Sequence, residues 1–232
     1  VEADQQFRSD ADRQHRDRNR RLDCDRHLIM LTVTDPADTH RLTTLAMIKG
    51  ELQLSGGADD AVLTAFIDQA SAAARSWCRR TFAEETVSET VYLDRPASPI
   101  ELSRYPVTEI ASVTVAGTVL DPTEYEVEDD TGWLYRLDAS GGRCARFCGR
   151  VVIEYTGGYI LPDAPQPTLP DDISRAAALL VKGAYFARTR DPAIRSESVE
   201  GAGSFGYFSG TTGDLPPEVE GLLRQYRAPR IG

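Results

Sequence analysis

Apolar positions first recur at helical spacing after Leu42, where Leu45, Ile48 and Leu52 fall three and four residues apart. Thr43 or Thr44 is placed to cap this short helix, and Ser55, Gly56 and Gly57 to stop it. A longer helix is predicted behind Asp59 and Asp60, whose negative charge suits a helix N-terminus. One apolar stripe runs through Val62, Phe66, Ala70, Ala73 and Trp77, and Leu63, Ile67, Ala74 and Cys78 widen it. Asp68, Gln69 and Arg75 remain for the exposed side, and Arg79, Arg80 and Thr81 end the helix with cations beside its negative pole.

The period then drops to two. Residues 87–93, 107–115, 125–128, 133–137 and 151–155 are short β-branched or aromatic runs, separated by Gly, Pro and Asp clusters that mark turns. They predict a small antiparallel β domain over 86–160, inserted between helices. After the proline-rich 162–170, Asp171 and Asp172 open another helix with Ile173, Ala176, Ala177, Leu180, Val181, Ala184 and Tyr185 on its apolar side. Its small residues let a neighbouring helix come close. Residues 191–214 are rich in Gly and Ser yet hold Phe205, Tyr207 and Phe208, the pattern of a long loop that orders against a partner. Pro216 and Pro217 start a last helix over 218–226, followed by a basic tail with Arg227 and Arg230.

The opening of the chain has no such pattern. Residues 1–29 carry seven arginines and seven acids with few apolar side chains, so they bury too little to offset the entropy of ordering. Disorder is expected there, and Met30 begins the first foldable stretch and is a candidate biological start. The fold class is α+β: a core of about four helices, an inserted small antiparallel β domain and a disordered N-terminal extension. The expected divisions are 1–29 (extension), 30–85 (N-terminal helices), 86–160 (β domain) and 161–232 (C-terminal helices, loop and tail).

Composition narrows the function. The net charge of -10 disfavours a protein that grips nucleic acid and suits a surface that DNA slides past, although solubility alone also accounts for it. No window approaches the roughly 18 to 20 apolar residues of a membrane span, so the expectation is a soluble protein, cytoplasmic when made, with no membrane partner. Four scattered cysteines, Cys24, Cys78, Cys144 and Cys148, do not make a disulfide framework, and Cys144 with Cys148 lacks the spacing and second pair of a zinc site. All three histidines, His15, His27 and His40, lie in or beside the extension, which leaves none for catalysis or metal in the folded part. Gly201, Gly203 and Gly206 spell GxGxxG, but no strand–turn–helix surrounds them. The acid pairs Asp129–Asp130 and Asp171–Asp172 fit turn and helix-start positions. The expectation is no enzyme, no cofactor and no metal.

The order of elements carries a resemblance. Leu45, Ala46, Ile48, Lys49 and Leu52, a Gly and Asp turn, then a helix closing on Trp77, Cys78, Arg79, Arg80, Thr81 and Phe82, resemble the opening of head-tail connector (adaptor) proteins of tailed phages and gene transfer agents. Cys78 stands where that family has a small residue or glycine. Arg195 to Val199, then Leu215, Pro216, Pro217, Val219, Leu222, Leu223, Tyr226 and Arg227, are similar to the end of its longer members, which also carry a β insertion.

The resemblance implies a homo-oligomeric, twelve-fold ring in the neck of a virion or phage-like particle. It implies a portal protein on one face, a stopper or tail-completion protein on the other, and DNA passing without sequence-specific binding. On that reading, Phe205, Tyr207, Phe208, Tyr226, Arg227 and Arg230 are candidate interface residues, because aromatic and arginine side chains anchor interfaces. Tyr226 packing on Leu222 within its own subunit is the alternative. Two other readings stand beside it: a stopper or tail-completion protein of the same particle, and a ligand-binding module with Trp133, Tyr135 and Tyr155 as an aromatic platform.

Overall fold

The computed structural model describes residues 28–188, 196–199, 203–206 and 215–228. Strand β1 (Leu28–Asp35) precedes helices α1 (Leu45–Leu52) and α2 (Asp60–Cys78). Strands β2 (Glu85–Ala97), β3 (Ile100–Glu101), β4 (Val107–Val115), β5 (Thr118–Val119), β6 (Tyr125–Glu128), β7 (Trp133–Arg136) and β8 (Phe147–Gly157) follow. Helix α3 (Asp171–Ala187), the hairpin β9 (Ser196–Val199) and β10 (Gly203–Gly206), and helix α4 (Pro217–Leu223) complete the order. Four helices and antiparallel sheets make the α+β class expected from sequence.

The β layer is a sandwich. A five-stranded sheet runs β1-β2-β8-β4-β5, and a three-stranded sheet runs β3-β7-β6. In β2 the side chains of Glu85, Val87, Glu89, Val91 and Leu93 point inward and alternate with half-buried or exposed ones, the period of a sheet with one wet face. Val113, Leu134, Phe147, Val151, Ile153 and Tyr155 fill the space between the sheets.

Two features of this layer differ from the sequence reading. Leu28 and Ile29 are the first residues of a strand rather than the end of an extension, paired with Tyr92 and Val91. Strand β1 comes from before the helices, so the five-stranded sheet is not built wholly from a contiguous 86–160 insertion. Residues 1–27, the rest of the expected disordered extension, lie outside the described residues.

Thr44 caps α1, its hydroxyl accepting from the Met47 amide at 3.2 Å. Gln53 and Arg79, both at positive φ, end α1 and α2 before the glycines the sequence pointed to can act in the first case. Helix α2 buries Leu63, Ile67, Ala70, Ser71, Ala74 and Cys78, while Val62 is 42% exposed and Phe66, Ala73 and Trp77 are half-buried. The widening stripe is therefore the core stripe. It meets Ala176, Ala177, Ala178 and Val181 of α3, whose small side chains permit the close approach. The expected long loop at 191–214 contains an antiparallel hairpin, with Gly203 opposite Val199 and Gly206 opposite Ser196.

Candidate assembly surfaces

Most interior polar chemistry is spent on holding elements together. Glu89, wholly buried, accepts from the Ser103 amide at 3.0 Å, the Ser103 hydroxyl at 2.7 Å and the Tyr155 hydroxyl at 2.6 Å. Tyr155 in turn accepts from the Arg104 amide at 3.0 Å, and Arg104 pairs with the buried Glu85 at 2.8 Å. Burial and the Glu89 carboxylate hold the Tyr155 phenol far above its usual pKa. The three donors to Glu89 and the Arg104 guanidinium on Glu85 offset the desolvation that the two buried carboxylates would otherwise suffer. They pin the 102–105 segment across the sheet.

Glycines make the same junction close-packed. A Cβ on Gly157 would lie 2.6 Å from the Arg104 carbonyl oxygen, and Gly158, at φ +121°, leaves no room beside the Ala83 carbonyl. Arg80 lies in the angle between helices and sheet, its guanidinium 3.7 Å from the Tyr105 ring centroid and donating to the Tyr105 carbonyl. Burial lowers its pKa. Of the aromatics in the alternative platform reading, Tyr155 is core, and the Arg143 guanidinium lies 4.0 Å over the Tyr135 ring.

The C-terminal segment is fastened to α2. The Tyr226 ring meets Phe82 edge-on at 6.5 Å, the Arg227 guanidinium lies 4.6 Å over Trp77, and the Ala228 amide donates to the Cys78 carbonyl at 2.9 Å. Of the six candidate interface residues, Tyr226 thus packs within its own subunit, against Phe82, and Arg227 is exposed on its outer side. Phe205 stands on β10 opposite Glu197. Tyr207, Phe208 and Arg230 lie outside the described residues.

Apolar surface concentrates elsewhere, where sequence reasoning missed it. Leu28 (62% exposed), Ile29, Met30 (56%) and Val33 all lie on β1, the edge strand. The register puts Leu28, Tyr92 and Arg150 in one row of the outer sheet face, and Met30, Thr90, Val152, Thr114 and the 64% exposed Val119 in the next. The charge-free run from Leu28 to Thr34 was the available signal. On the opposite edge, a groove opens between β4 and β6, lined by Val107, Glu109, Ile110, Tyr125, Val127 and Asp129 among others. Among the described residues, no cluster of His, Cys, Asp and Glu could hold a metal ion, and no helix is long and apolar enough to cross a membrane.

Fold and surface together define an α+β protein with an apolar β1 edge and exposed arginines stacked on aromatic rings. The chain belongs to the head completion protein family, whose model matches residues 41–229. Its fold is similar to that of a chain in the neck of an empty gene transfer agent particle computed with C6 symmetry, at 22% identity and TM-score 0.54. A chain in the neck of the native particle computed with C12 symmetry matches at 18% identity and TM-score 0.54. A chain of the virion of the native gene transfer agent particle matches at 21% and 0.55. Each alignment covers 87% of this chain and 97% of the other. No curated protein matches the sequence.

Proposed function

We propose that this protein is a structural head-tail connector subunit of a virion neck that performs no chemistry of its own. Copies form a twelve-fold ring beneath the portal, join the DNA-filled head to the tail and line the channel through which DNA passes. The observation that carries this reading is the family match over residues 41–229, on a fold like that of neck chains in gene transfer agent particles. A net charge of -10 suits a wall that must not hold the passing DNA.

One face of the ring meets the portal and the other a stopper or tail-completion protein. Arg227, exposed beside Trp77, and Arg230 beyond it are the C-terminal groups we assign to portal docking, with the segment bearing Phe205, Tyr207 and Phe208. Tyr226 serves them indirectly, by fixing the tail against Phe82.

Electron microscopy of the purified protein, alone and mixed with its cognate portal or DNA-filled heads, tests the proposal. A ring stacked coaxially beneath the portal is expected. A ring that binds only one tier further from the portal would make the protein a stopper. A particle that remains monomeric and joins neither portal nor heads would overturn the reading.

A further inference from the structure

We propose that neighbouring copies meet head to tail through the two edges of the five-stranded sheet. The β1 edge of one copy seats in the groove between β4 and β6 of the next. This inference rests on the ring reading and names the surfaces that close it.

A closed ring of more than two copies needs two different, mutually complementary surfaces on opposite sides of each subunit. Strand order β1-β2-β8-β4-β5 puts the β1 edge and the β4 side at opposite ends of one sheet. The two differ in the required way. Strand β1 offers Leu28 and Met30 as protruding apolar side chains on an edge with no lysine or proline to blunt it and no bulge before Val33. The groove offers an apolar floor in Val107, Ile110, Tyr125 and Val127.

Charge is complementary as well. Among the described residues, the exposed Arg95, Arg146 and Arg150 and the acid Asp94 stand at the Leu28–Tyr92 end of the sheet. Around the groove stand Glu109, Asp129 and Asp130, while Glu126 and Glu128 already hold Arg143 at 2.9 Å each. Both halves of the match belong to the same chain, which favours a second copy over an unrelated partner as the occupant.

The test combines cross-linking with charge reversal in the full chain, carrying Cys24→Ser, Cys144→Ser and Cys148→Ser. Within one subunit β1 and β4 are three strand spacings apart, about 14 Å, beyond the roughly 7 Å that a disulfide spans between Cα atoms. Met30→Cys together with Thr108→Cys should therefore give a ladder of covalent oligomers on oxidation, and neither substitution alone should.

Arg95→Glu with Arg150→Glu, and separately Glu109→Arg with Asp129→Arg, should each lower the ring fraction about tenfold or more, and the four together should restore it. All four positions are exposed, so thermal melts of each variant should match the parent. Rings that form normally in both reversed variants and give no β1–β4 cross-link would overturn these edges while leaving the ring intact. Dimers from Met30→Cys alone would overturn the head-to-tail arrangement. Failure of the parent chain to form any ring, alone or on the portal, would overturn both readings.

Discussion

The phenol of Tyr155 donates to the Glu89 carboxylate at 2.6 Å across the diagonal between β8 and β2, and both residues are wholly buried. Tyr155→Phe keeps the ring and removes the donor, so Glu89 stays buried with only Ser103 to satisfy it. Hydrogen bonds to charged groups carry about 2 kcal/mol, and a loss of that order is expected in urea unfolding. An unchanged midpoint would show that Ser103 alone meets the needs of Glu89.

The Gly157–Gly158 pair should be the most sensitive backbone site. Gly158→Ala puts a Cβ into the Ala83 carbonyl at a φ that L side chains rarely adopt, and a cost of about 3 kcal/mol or more follows. Gly183, inside α3 with nothing within 4 Å of its would-be Cβ, supplies the contrast. Gly183→Ala should stabilise by about 0.5 to 1 kcal/mol. Thermal melts of the two variants should move in opposite directions.

What the sequence made legible was local. The period of 107–115 and of 125–128 located β4 and β6 to the residue, and Thr44 was among the two caps proposed for α1. In α2 two adjacent stripes were nearly equal in an alanine-rich helix, and only the tertiary partner decides between them. Ser71, which accepts from the Leu42 amide at 3.0 Å, lies on the stripe that won. Strand β1 escaped because its partner in β2 lies beyond two helices and its own neighbours in sequence are charged. Glu85 and Glu89 alternate with the apolar Val87, Val91 and Leu93, yet both are buried. Their burial depends on Arg104, Ser103 and Tyr155 arriving from elsewhere in the chain.

Stability should fall as pH drops below the usual histidine value, and His40 should be a source of that fall. Burial, then the positive charge of Arg75, lowers its pKa from 6.5, with Glu85 opposing and Arg104 adding to the effect. The folded chain therefore favours neutral His40, and the unfolded chain binds the proton first. This contribution is complete above pH 6.5 and is lost as pH falls through the lowered value. Glu51, held below the ordinary carboxylate range by hydrogen bonds from Lys182 and Arg175, acts at lower pH. Unfolding midpoints of the parent and His40→Gln, followed from about pH 7.5 to about pH 5, should diverge in slope. Parallel curves would remove His40 from the account.

Because the C-terminal segment is part of the subunit fold, cutting it in two places should separate folding from docking. Deleting 224–232 removes the edge contact of Tyr226 on Phe82, the Arg227 stack on Trp77 and the Ala228 bond to Cys78. Aromatic pairs and exposed cation–π contacts contribute about 1 kcal/mol each, so a loss of about 2 kcal/mol or more is expected in thermal unfolding. Ending the chain after Ala228 should leave the melt unchanged and weaken portal attachment; Arg227→Ala should weaken attachment too, at a cost of about 1 kcal/mol in the melt from the lost stack on Trp77. A portal complex of normal affinity from both of these variants would move the docking surface away from the C-terminus.

Cysteine reactivity offers a direct check on the helical core. Cys78 is wholly buried, its thiol lies 3.9 Å from the Leu223 carbonyl, and burial pushes its pKa up to about 11. Cys144 and Cys148 are exposed and free. Since the thiolate is the reactive form, iodoacetamide at mildly alkaline pH should modify Cys144 and Cys148 in the native protein and reach Cys78 only on unfolding. Peptide mass spectrometry along a urea series then reports the opening of the α2–α4 contact through Cys78 itself. Modification of Cys78 at the rate of the exposed pair, without denaturant, would mean that α4 and the tail beyond it leave α2 far more readily than their packing implies.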